Sequence, residues 1–252
     1  MSALSLEGRV VFVSGASRGI GAGIAARFAE RGMNLVLCSR TTPALASSGN
    51  VIARCLDVRD EIGLEALVAE AEARWGGIDL WINNAGVLDP IAPLRDVPLD
   101  AFLEHVDINL AGVFVGSKCY VNHLRRTGNR GVLINVSSGA ATKAYSGWGA
   151  YCAAKAAVER LTEVLAVEES EAGLRAYSVA PGLVDTDMQA LIRATPIEQF
   201  PDAPRFRRTE QEDAFNSERF VADEFLKIAF DATCSPDTVA VRLANEPRQS
   251  LK

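Results

Sequence analysis

The stretch RVVFVSGASRGIG at residues 9–21 decides the fold class. Its first six residues form a continuous β-branched and aromatic run, which is typical of a strand covered on both faces. The glycines that follow permit a tight turn, and residues 22–31 continue as a helix that ends at Gly32. Strand, glycine-rich turn and helix in this order predict a dinucleotide-binding unit with a pyrophosphate at the helix N-terminus. The glycine spacing is GxxxGxG, so a tight turn without a ligand is the alternative interpretation.

Strand-like and helix-like segments alternate along the rest of the chain. Further strands are predicted at residues 34–39, 51–56, 78–82, 131–136, 174–180 and 238–243, and helices at 60–75, 99–126, 149–171 and 217–231. This alternation predicts one α/β domain over residues 1–252, built on a doubly wound parallel sheet. The predicted helix at 60–75 has Ile62, Leu64, Leu67 and Val68 as candidates for its buried side. The link at 41–50 is too short for a full crossover helix.

One segment, residues 183–216, differs from the rest in composition. It contains three prolines, an arginine cluster and an acidic stretch. Long irregular segments in compact domains are usually lids or disordered. We predict an irregular substrate lid within the domain, with a disordered segment as the alternative.

Composition excludes several classes of function. The chain has 252 residues, of which 48% are hydrophobic, and its net charge of −6 argues against nucleic-acid or anionic-membrane binding. It has no apolar run of about 18 residues, so no membrane helix is predicted. The N-terminus does not resemble a secretory signal, and the five cysteines form no CxxC pair. We therefore expect a cytoplasmic protein without a bound metal.

Residues 134–155, INVSSGAATKAYSGWGAYCAAK, contain the candidate catalytic groups. Tyr151 and Lys155 are four residues apart in a predicted helix, so both side chains can reach one site. An ammonium close to a phenol lowers the pKa of the phenol, which makes Tyr151 a plausible general acid or base. Ser138 ends a predicted strand and can donate to a substrate oxygen. Taken alone, the Tyr–Lys spacing also fits a solvated or half-buried surface pair.

The end of the second predicted strand indicates which dinucleotide binds. An NAD site places an acid there for the ribose 2′-hydroxyl, whereas a 2′-phosphate favours arginine. This chain has Arg40 at that point, and Arg18 in the glycine loop can approach the same corner. Two guanidinium groups suit a phosphate dianion, so NADP(H) is favoured over NAD(H). The alternative is that both are exposed surface arginines.

Together the motifs resemble the short-chain dehydrogenase/reductase family. They are SGASRGIG at 14–21, NNAG at 83–86, Asn109, Ser138, Tyr151 with Lys155, and Pro181-Gly182, in the family's order across residues 9–243. The resemblance implies a single Rossmann-like domain with about seven parallel strands in the order 3-2-1-4-5-6-7 and helices on both faces. Residues 137–157 and 181–189 are similar to the sepiapterin reductases and benzil reductases, which reduce carbonyls, often one carbonyl of a vicinal diketone, with NADPH.

The resemblance also implies roles for individual residues. Tyr151 would be the general acid/base, Ser138 would orient the carbonyl oxygen, and Asn109 would hold a water in a proton relay. Lys155 would bind the nicotinamide ribose and lower the pKa of Tyr151. The implied cofactor-binding residues are Gly15, Ser17, Arg18, Gly19, Ile20, Gly21, Arg40, Asp57, Val58, Asn84, Ala85, Gly86, Tyr151, Lys155, Pro181, Gly182, Val184 and Thr186. Among these, Asp57 would meet the adenine, Asn84 a ribose and Thr186 the nicotinamide amide.

The substrate residues are predicted to be Ser138, Ala140, Trp148 and Tyr151. Trp148 is either a wall for a flat conjugated substrate or a packing residue. The predicted function is NADPH-dependent carbonyl reduction of a small-molecule ketone or diketone. The alternatives are an NAD(P)-dependent alcohol dehydrogenase working in the oxidative direction and a non-catalytic NADP(H) sensor. The family resemblance implies a homodimer or homotetramer built on the helices at 99–126 and 149–171, whose candidate outer positions are Val113, Val121, Val158 and Leu165.

Overall fold

The computed structural model describes residues 6–212 and 214–247 and contains one seven-stranded parallel sheet. Its strands are β1 (Val10–Ser14), β2 (Asn34–Ser39), β3 (Val51–Cys55), β4 (Leu80–Asn83), β5 (Gly131–Val136), β6 (Leu174–Ala180) and β7 (Ala240–Arg242). Their order across the sheet is β3-β2-β1-β4-β5-β6-β7. The sheet is parallel throughout, from β2–β3 at one edge to β6–β7 at the other. The predicted Rossmann-like fold and strand order are confirmed.

Helices cover both faces of this sheet. They are α1 (Gly19–Glu30), α2 (Glu61–Trp75), α3 (Leu99–Val106), α4 (Gly112–Thr127), α5 (Gly149–Glu168), α6 (Asp187–Ala194), α7 (Ala203–Gln211) and α8 (Glu218–Phe230). Side chains of β1 alternate between the faces: Val11 and Val13 join the core under α1 and α8, whereas Val10 and Phe12 join the core under α2 and α4. In the described part of the chain, no helix is both long enough and apolar enough to cross a membrane.

Helix α2 corrects one sequence prediction. Leu64, Leu67 and Val68 are buried as predicted, but Ile62 is 81% exposed. The buried stripe continues to Ala71, and Ile62 lies two residues before it begins, which is about 200° around the helix from Leu64. The helix begins after Asp60, whose carboxylate accepts a hydrogen bond from Gly63 N at 3.0 Å. Capping and the buried stripe therefore fix the rotation of α2, and Ile62 faces outward.

The predicted helix at 99–126 is divided in the structure. One π-helical turn, Asp107–Ala111, separates α3 from α4. Such turns insert an extra residue into a helix and often occur at functional sites. This turn contains Asn109, so the interruption changes the direction of that side chain relative to a regular helix. On α4 and α5, Val113 and Val158 are buried, so their assignment to outer positions is wrong.

The short link at 41–50 contains no helix, in agreement with its length. It instead follows the glycine loop, and Ala44 N donates to Ala16 O at 2.9 Å. The adenosine side of the predicted cofactor site is therefore bordered by irregular chain rather than by a crossover helix.

The lid, residues 183–216, is more regular than predicted. It contains α6 and α7, and Pro204 lies in the first turn of α7, where a missing N–H costs no hydrogen bond. The prolines at 196 and 201 lie in the link between these helices. The prolines therefore lie at the start of α7 and between the two helices, where they do not prevent helix formation. The prediction of an irregular segment is wrong.

Candidate active site

Four predicted catalytic residues converge at the carboxyl ends of β4 and β5. Ser138 follows β5, Tyr151 and Lys155 lie on α5, and Asn109 lies in the π-helical turn. The Lys155 ammonium is 5.7 Å from the centre of the Tyr151 ring. A Cβ atom placed on Gly86 would lie 2.7 Å from Asn109 Oδ1 and 3.9 Å from Lys155 Nζ. Glycine at position 86 therefore lets the chain pass between these two side chains.

The electrostatics of Tyr151 and Lys155 are dominated by burial. Burial raises the pKa of Tyr151, and a hydrogen bond with the Ser138 hydroxyl opposes that rise only in part. Burial lowers the pKa of Lys155 to about 8. The ammonium donates to the carbonyl oxygen of Val136 at 2.8 Å. Burial therefore has the largest effect on the pKa of Tyr151 in this structure, and the lowering of that pKa by Lys155 stays a prediction.

Asn109 fixes the loop that follows β4. Its Oδ1 accepts from Val87 N at 3.1 Å, and its Nδ2 donates to Val87 O at 3.0 Å. The residue is completely buried. Nδ2 also lies 3.0 Å from Nε2 of His105, a residue that the sequence analysis does not single out. In the sequence, the one feature that could have indicated this contact is the position of His105 one helical turn before Asn109.

The glycine loop is tightly packed against β4. Gly15 and Gly19 have φ values of +68° and +54°, which favour glycine. A Cβ on Gly15 would lie 2.8 Å from Ala85 Cα, and one on Gly21 would lie 2.3 Å from Gly15 O. Positions 15 and 21 therefore need glycine because a side chain there would collide with the neighbouring backbone. This requirement holds whether or not the loop binds a ligand.

The N-terminus of α1 fits a pyrophosphate. Arg18 is the N-cap residue and its side chain makes no capping bond, and the first turn of α1 contains no acid. Backbone N–H groups at such a helix start attract phosphate. The residues at this helix start are Ser17, Gly19 and Ile20. They could hold the diphosphate of a dinucleotide.

Asn84 is held against the glycine loop by its side-chain amide. Its Nδ2 donates to Ser14 O at 3.0 Å and to Gly15 O at 3.3 Å. Ser14 Oγ accepts in turn from the backbone N–H groups of Asn84 and Ala85. The side-chain N–H groups of Asn84 therefore hold the glycine loop in place. Its side-chain oxygen would be the atom that contacts a ribose.

The charged residues of the adenosine side are placed as follows. Arg40 is exposed at the end of β2 and contributes to a lowered pKa of Asp57. The main cause of that lowering is Arg59, which binds the Asp57 carboxylate with two nitrogens at 2.9 and 2.7 Å. Arg18 reaches instead toward the lid and pairs with Asp187 at 3.0 Å. Val58 is buried beside this group.

The lid begins and ends at one point beside the site. Asn216 donates from Nδ2 to Pro181 O at 2.9 Å and from its backbone N to Leu183 O at 2.7 Å. Val184 and Asn216 form an isolated parallel bridge. Gly182 has a φ of +80° and lies against the Asn216 amide. Asn216 is a further residue that the sequence analysis missed, because its partners are about thirty positions away.

Thr186 brings the lid against the glycine loop. A Cβ on Gly19 would lie 3.1 Å from the Thr186 methyl group. Thr186 is also the residue before α6. The structure therefore places Thr186, which is predicted to contact the nicotinamide amide, directly against the glycine loop.

Trp148 lies inside an aromatic cluster that joins the lid to α5. We define this cluster as Tyr145, Trp148, Phe200 and Phe206. Trp148 is 4% exposed, stacks on Phe200 with ring centres 4.5 Å apart, and meets Tyr151 edge-on at 5.6 Å. Ala140 is buried in the same apolar group. The placement of Trp148 favours the packing role over an open wall of the substrate site.

Fold and site together define an oxidoreductase that uses a nicotinamide dinucleotide. The chain belongs to the short-chain dehydrogenase family, whose model, described as short chain dehydrogenase, matches residues 9–196. It is 34% identical over 227 residues to a benzil reductase ((S)-benzoin forming) of Bacillus cereus, covering 85% of this chain and 91% of that protein. It is 33% identical over 215 residues to 3beta-hydroxysteroid dehydrogenase 1 of Eggerthella lenta, covering 82% and 79% respectively.

A solved structure agrees with this assignment. The crystal structure of the KRED1-Pglu enzyme matches with a TM-score of 0.83 and 31% identity, covering 93% of this chain and all of that one. The likeness extends beyond the residues that the family model matches, since it covers 93% of this chain.

Proposed function

We propose that the protein is an NADPH-dependent carbonyl reductase acting on ketones and vicinal diketones. The observation that carries the proposal is the convergence of Asn109, Ser138, Tyr151 and Lys155 beside the glycine loop. A binding protein without chemistry does not need a buried phenol at position 151 next to a hydroxyl and an ammonium, which argues against the sensor alternative.

The residues of this site suit reduction. NADPH, when bound, supplies a hydride to the carbonyl carbon. Tyr151, whose raised pKa keeps it protonated near neutral pH, donates its proton to the carbonyl oxygen. Ser138 can donate a hydrogen bond to the same oxygen, and the Lys155 charge nearby favours the phenolate left behind.

The substrate class follows from the apolar surroundings of Tyr151. Ala140, Leu88 and the aromatic cluster form one apolar group with the phenol. Such a group suits an aromatic ketone, in keeping with the substrate that the name of the Bacillus cereus relative states. The lid, whose Phe200 and Phe206 already pack in this group, is proposed to exclude water from the site during turnover. The name of the Eggerthella lenta relative favours a steroid alcohol, oxidised with NAD(P), as the second candidate.

The test is substrate-dependent loss of NADPH absorbance, with NADH in parallel. The panel contains benzil, 1-phenyl-1,2-propanedione, sepiapterin, an aliphatic aldehyde and a steroid ketone, and the reverse reaction uses the matching alcohols. Turnover of aromatic diketones supports the proposal. Turnover of steroid alcohols alone supports the second candidate, and tight NADPH binding without any turnover supports the sensor.

Tyr151→Phe tests the assigned chemistry. The variant keeps the ring packing and removes only the proton donor, so kcat should fall at least about 100-fold while the Kd for NADPH stays nearly constant. Tyr177→Phe is the control, because that hydroxyl lies on β6 and bonds Ser235 at 2.8 Å, away from Tyr151. Retained activity in Tyr151→Phe would disprove the assignment.

A further inference from the structure

His105 is a buried titratable residue that the proposed chemistry does not use. It lies near the end of α3, one turn before Asn109, and is 1% exposed. Its ring meets the Tyr151 ring edge-on, with centres 6.1 Å apart and planes at 80°. His105 therefore contacts two of the four predicted catalytic side chains, Asn109 and Tyr151.

Hydrogen bonding fixes the protonation state of this imidazole. Nδ1 lies 2.6 Å from the carbonyl oxygen of Asp89, which can only accept, so Nδ1 carries a proton. The two bonds to Val87 fix which end of the Asn109 amide is nitrogen. One hydrogen of that nitrogen is donated to Val87 O, and the nitrogen also lies 3.0 Å from Nε2 and 3.3 Å from the backbone oxygen of His105. The shorter of these two contacts assigns the second hydrogen to Nε2, which then accepts. His105 is therefore neutral, with its proton on Nδ1.

The surrounding charges act mainly against a second proton. Burial lowers the pKa of His105, and the Lys155 charge lowers it further. The backbone carbonyl and the carboxylate of Asp89 oppose these effects in part. The titratable groups that face the ring are thus Lys155 and Tyr151 from α5 and Asp89 from the loop after β4. An imidazolium would point an Nε2–H at the N–H of Asn109, and one of the two side chains would have to turn.

We propose that neutral His105 is a positioning residue that orients Asn109 and supports the Tyr151 ring, and that its protonation in mild acid disrupts both and sets the acid limb of turnover. The role deepens the proposed carbonyl reduction and rests on it for the kinetic readout. It predicts that activity is lost on the acid side when the Asn109 amide loses its acceptor.

Two substitutions at position 105 separate the role from general stability. His105→Phe keeps a ring against Tyr151 and removes both hydrogen bonds, so kcat should fall about 10- to 100-fold with little change in KM for NADPH. His105→Gln offers Asn109 a carbonyl acceptor that does not titrate. It should keep most of kcat at neutral pH and lose the acid limb.

The matched control is His123→Phe. His123 is also fully buried and hydrogen-bonded, to Ile78 N and Glu72, but it lies on α4 away from Tyr151. It should lose stability and keep the wild-type kcat and pH profile. An unchanged acid limb in His105→Gln, or an unchanged kcat in His105→Phe, would overturn the proposal.

Imidazole nitrogen NMR gives a readout that does not depend on turnover. The chain has only two histidines, so each variant assigns the other signal. The His105 signal should show the Nδ1–H tautomer and titrate below the ordinary histidine pKa of about 6.5. An Nε2–H tautomer, or an ordinary pKa, would contradict the proposal. If no carbonyl of the panel is turned over, the proposed carbonyl reduction is disproved, but the proposal for His105 is not. The NMR tautomer and pKa of His105 then decide whether its positioning role holds.

Discussion

At the scale of single residues, a substitution at position 40 tests the predicted preference for NADPH over NADH. Arg40→Asp replaces a guanidinium at the end of β2 by the acid that suits a ribose 2′-hydroxyl. NADPH affinity should fall about 10- to 100-fold, because a charged hydrogen bond to phosphate is lost, while NADH affinity should hold or improve. Cofactor fluorescence titration measures both. Arg54→Asp makes the same charge change at an exposed position of β3, and an equal loss there would attribute the effect to net charge alone.

Lys155 makes a second prediction at this scale, about stability. Lowering its pKa from the ordinary 10.5 to about 8 costs the folded state roughly 3 kcal/mol near neutral pH. Lys155→Met removes that cost but leaves the Val136 carbonyl without its donor, at about 1–2 kcal/mol. The variant should therefore be more stable by about 1–2 kcal/mol and inactive.

The pH dependence of that gain identifies its origin. Because the folded pKa lies below the unfolded one, the cost is present in full below about pH 8 and disappears as the pH approaches 10.5. Urea unfolding of both proteins should show the difference shrinking across that window. Lys118→Met is the control, since Lys118 is half exposed and pairs with Glu61. A gain that does not vary with pH would refute the burial explanation.

At the scale of elements, the contact between the lid and α5 depends on Phe200. This ring is fully buried against Trp148. Phe200→Ala leaves a cavity that should cost about 3–4 kcal/mol and loosen the lid, so KM for an aromatic diketone should rise. Phe225→Ala, in the core under α8, removes an equally buried ring. If both variants raise KM alike, the effect is global and the lid has no special role in binding.

Sequence patterns predicted those elements whose signals are local. The β1–glycine–α1 unit and the spacing of Tyr151 and Lys155 each lie within one short stretch, and both were placed correctly. The outward rotation of Ile62, the helices of the lid and the burial of Trp148 depend on packing partners elsewhere. Trp148, for example, is covered by Phe200, about fifty positions away, and no local pattern reveals that contact.

The protonation states of the site were equally hidden from the sequence. Adjacency predicts that Lys155 lowers the pKa of Tyr151, but it does not reveal that burial in the fold raises that pKa. The role proposed for His105 requires the backbone carbonyl of Asp89, which sequence reasoning does not place. Chemistry-bearing residue types are thus readable from the chain, whereas their solvation is a property of the fold.

At the scale of the whole molecule, α4 and α5 expose apolar side chains. Phe114 is 50% exposed, and Val164 and Val167 are 43% and 79% exposed. We expect these positions, rather than Val113 and Val158, to lie between subunits of the predicted homodimer or homotetramer.

Phe114→Glu should therefore shift the protein toward smaller species in sedimentation velocity, because a carboxylate would be buried without a partner. Ile62→Glu is the control, since Ile62 is as apolar, 81% exposed and on α2. An unchanged sedimentation coefficient for Phe114→Glu, or an equal shift for Ile62→Glu, would place the interface elsewhere.

The closure of the lid at Asn216 has a consequence for how such enzymes diversify. Because residues 183 and 216 meet in one hydrogen-bonded pair of backbones, the intervening chain leaves the sheet and returns to its starting point. Its length and sequence can therefore change without moving β6 or β7, as long as Phe200 keeps its contact with Trp148 beside α5. Residues 183–216 can therefore be exchanged as one unit. Such an exchange, in evolution or in protein engineering, would alter which substrates are accepted and leave the catalytic residues unchanged.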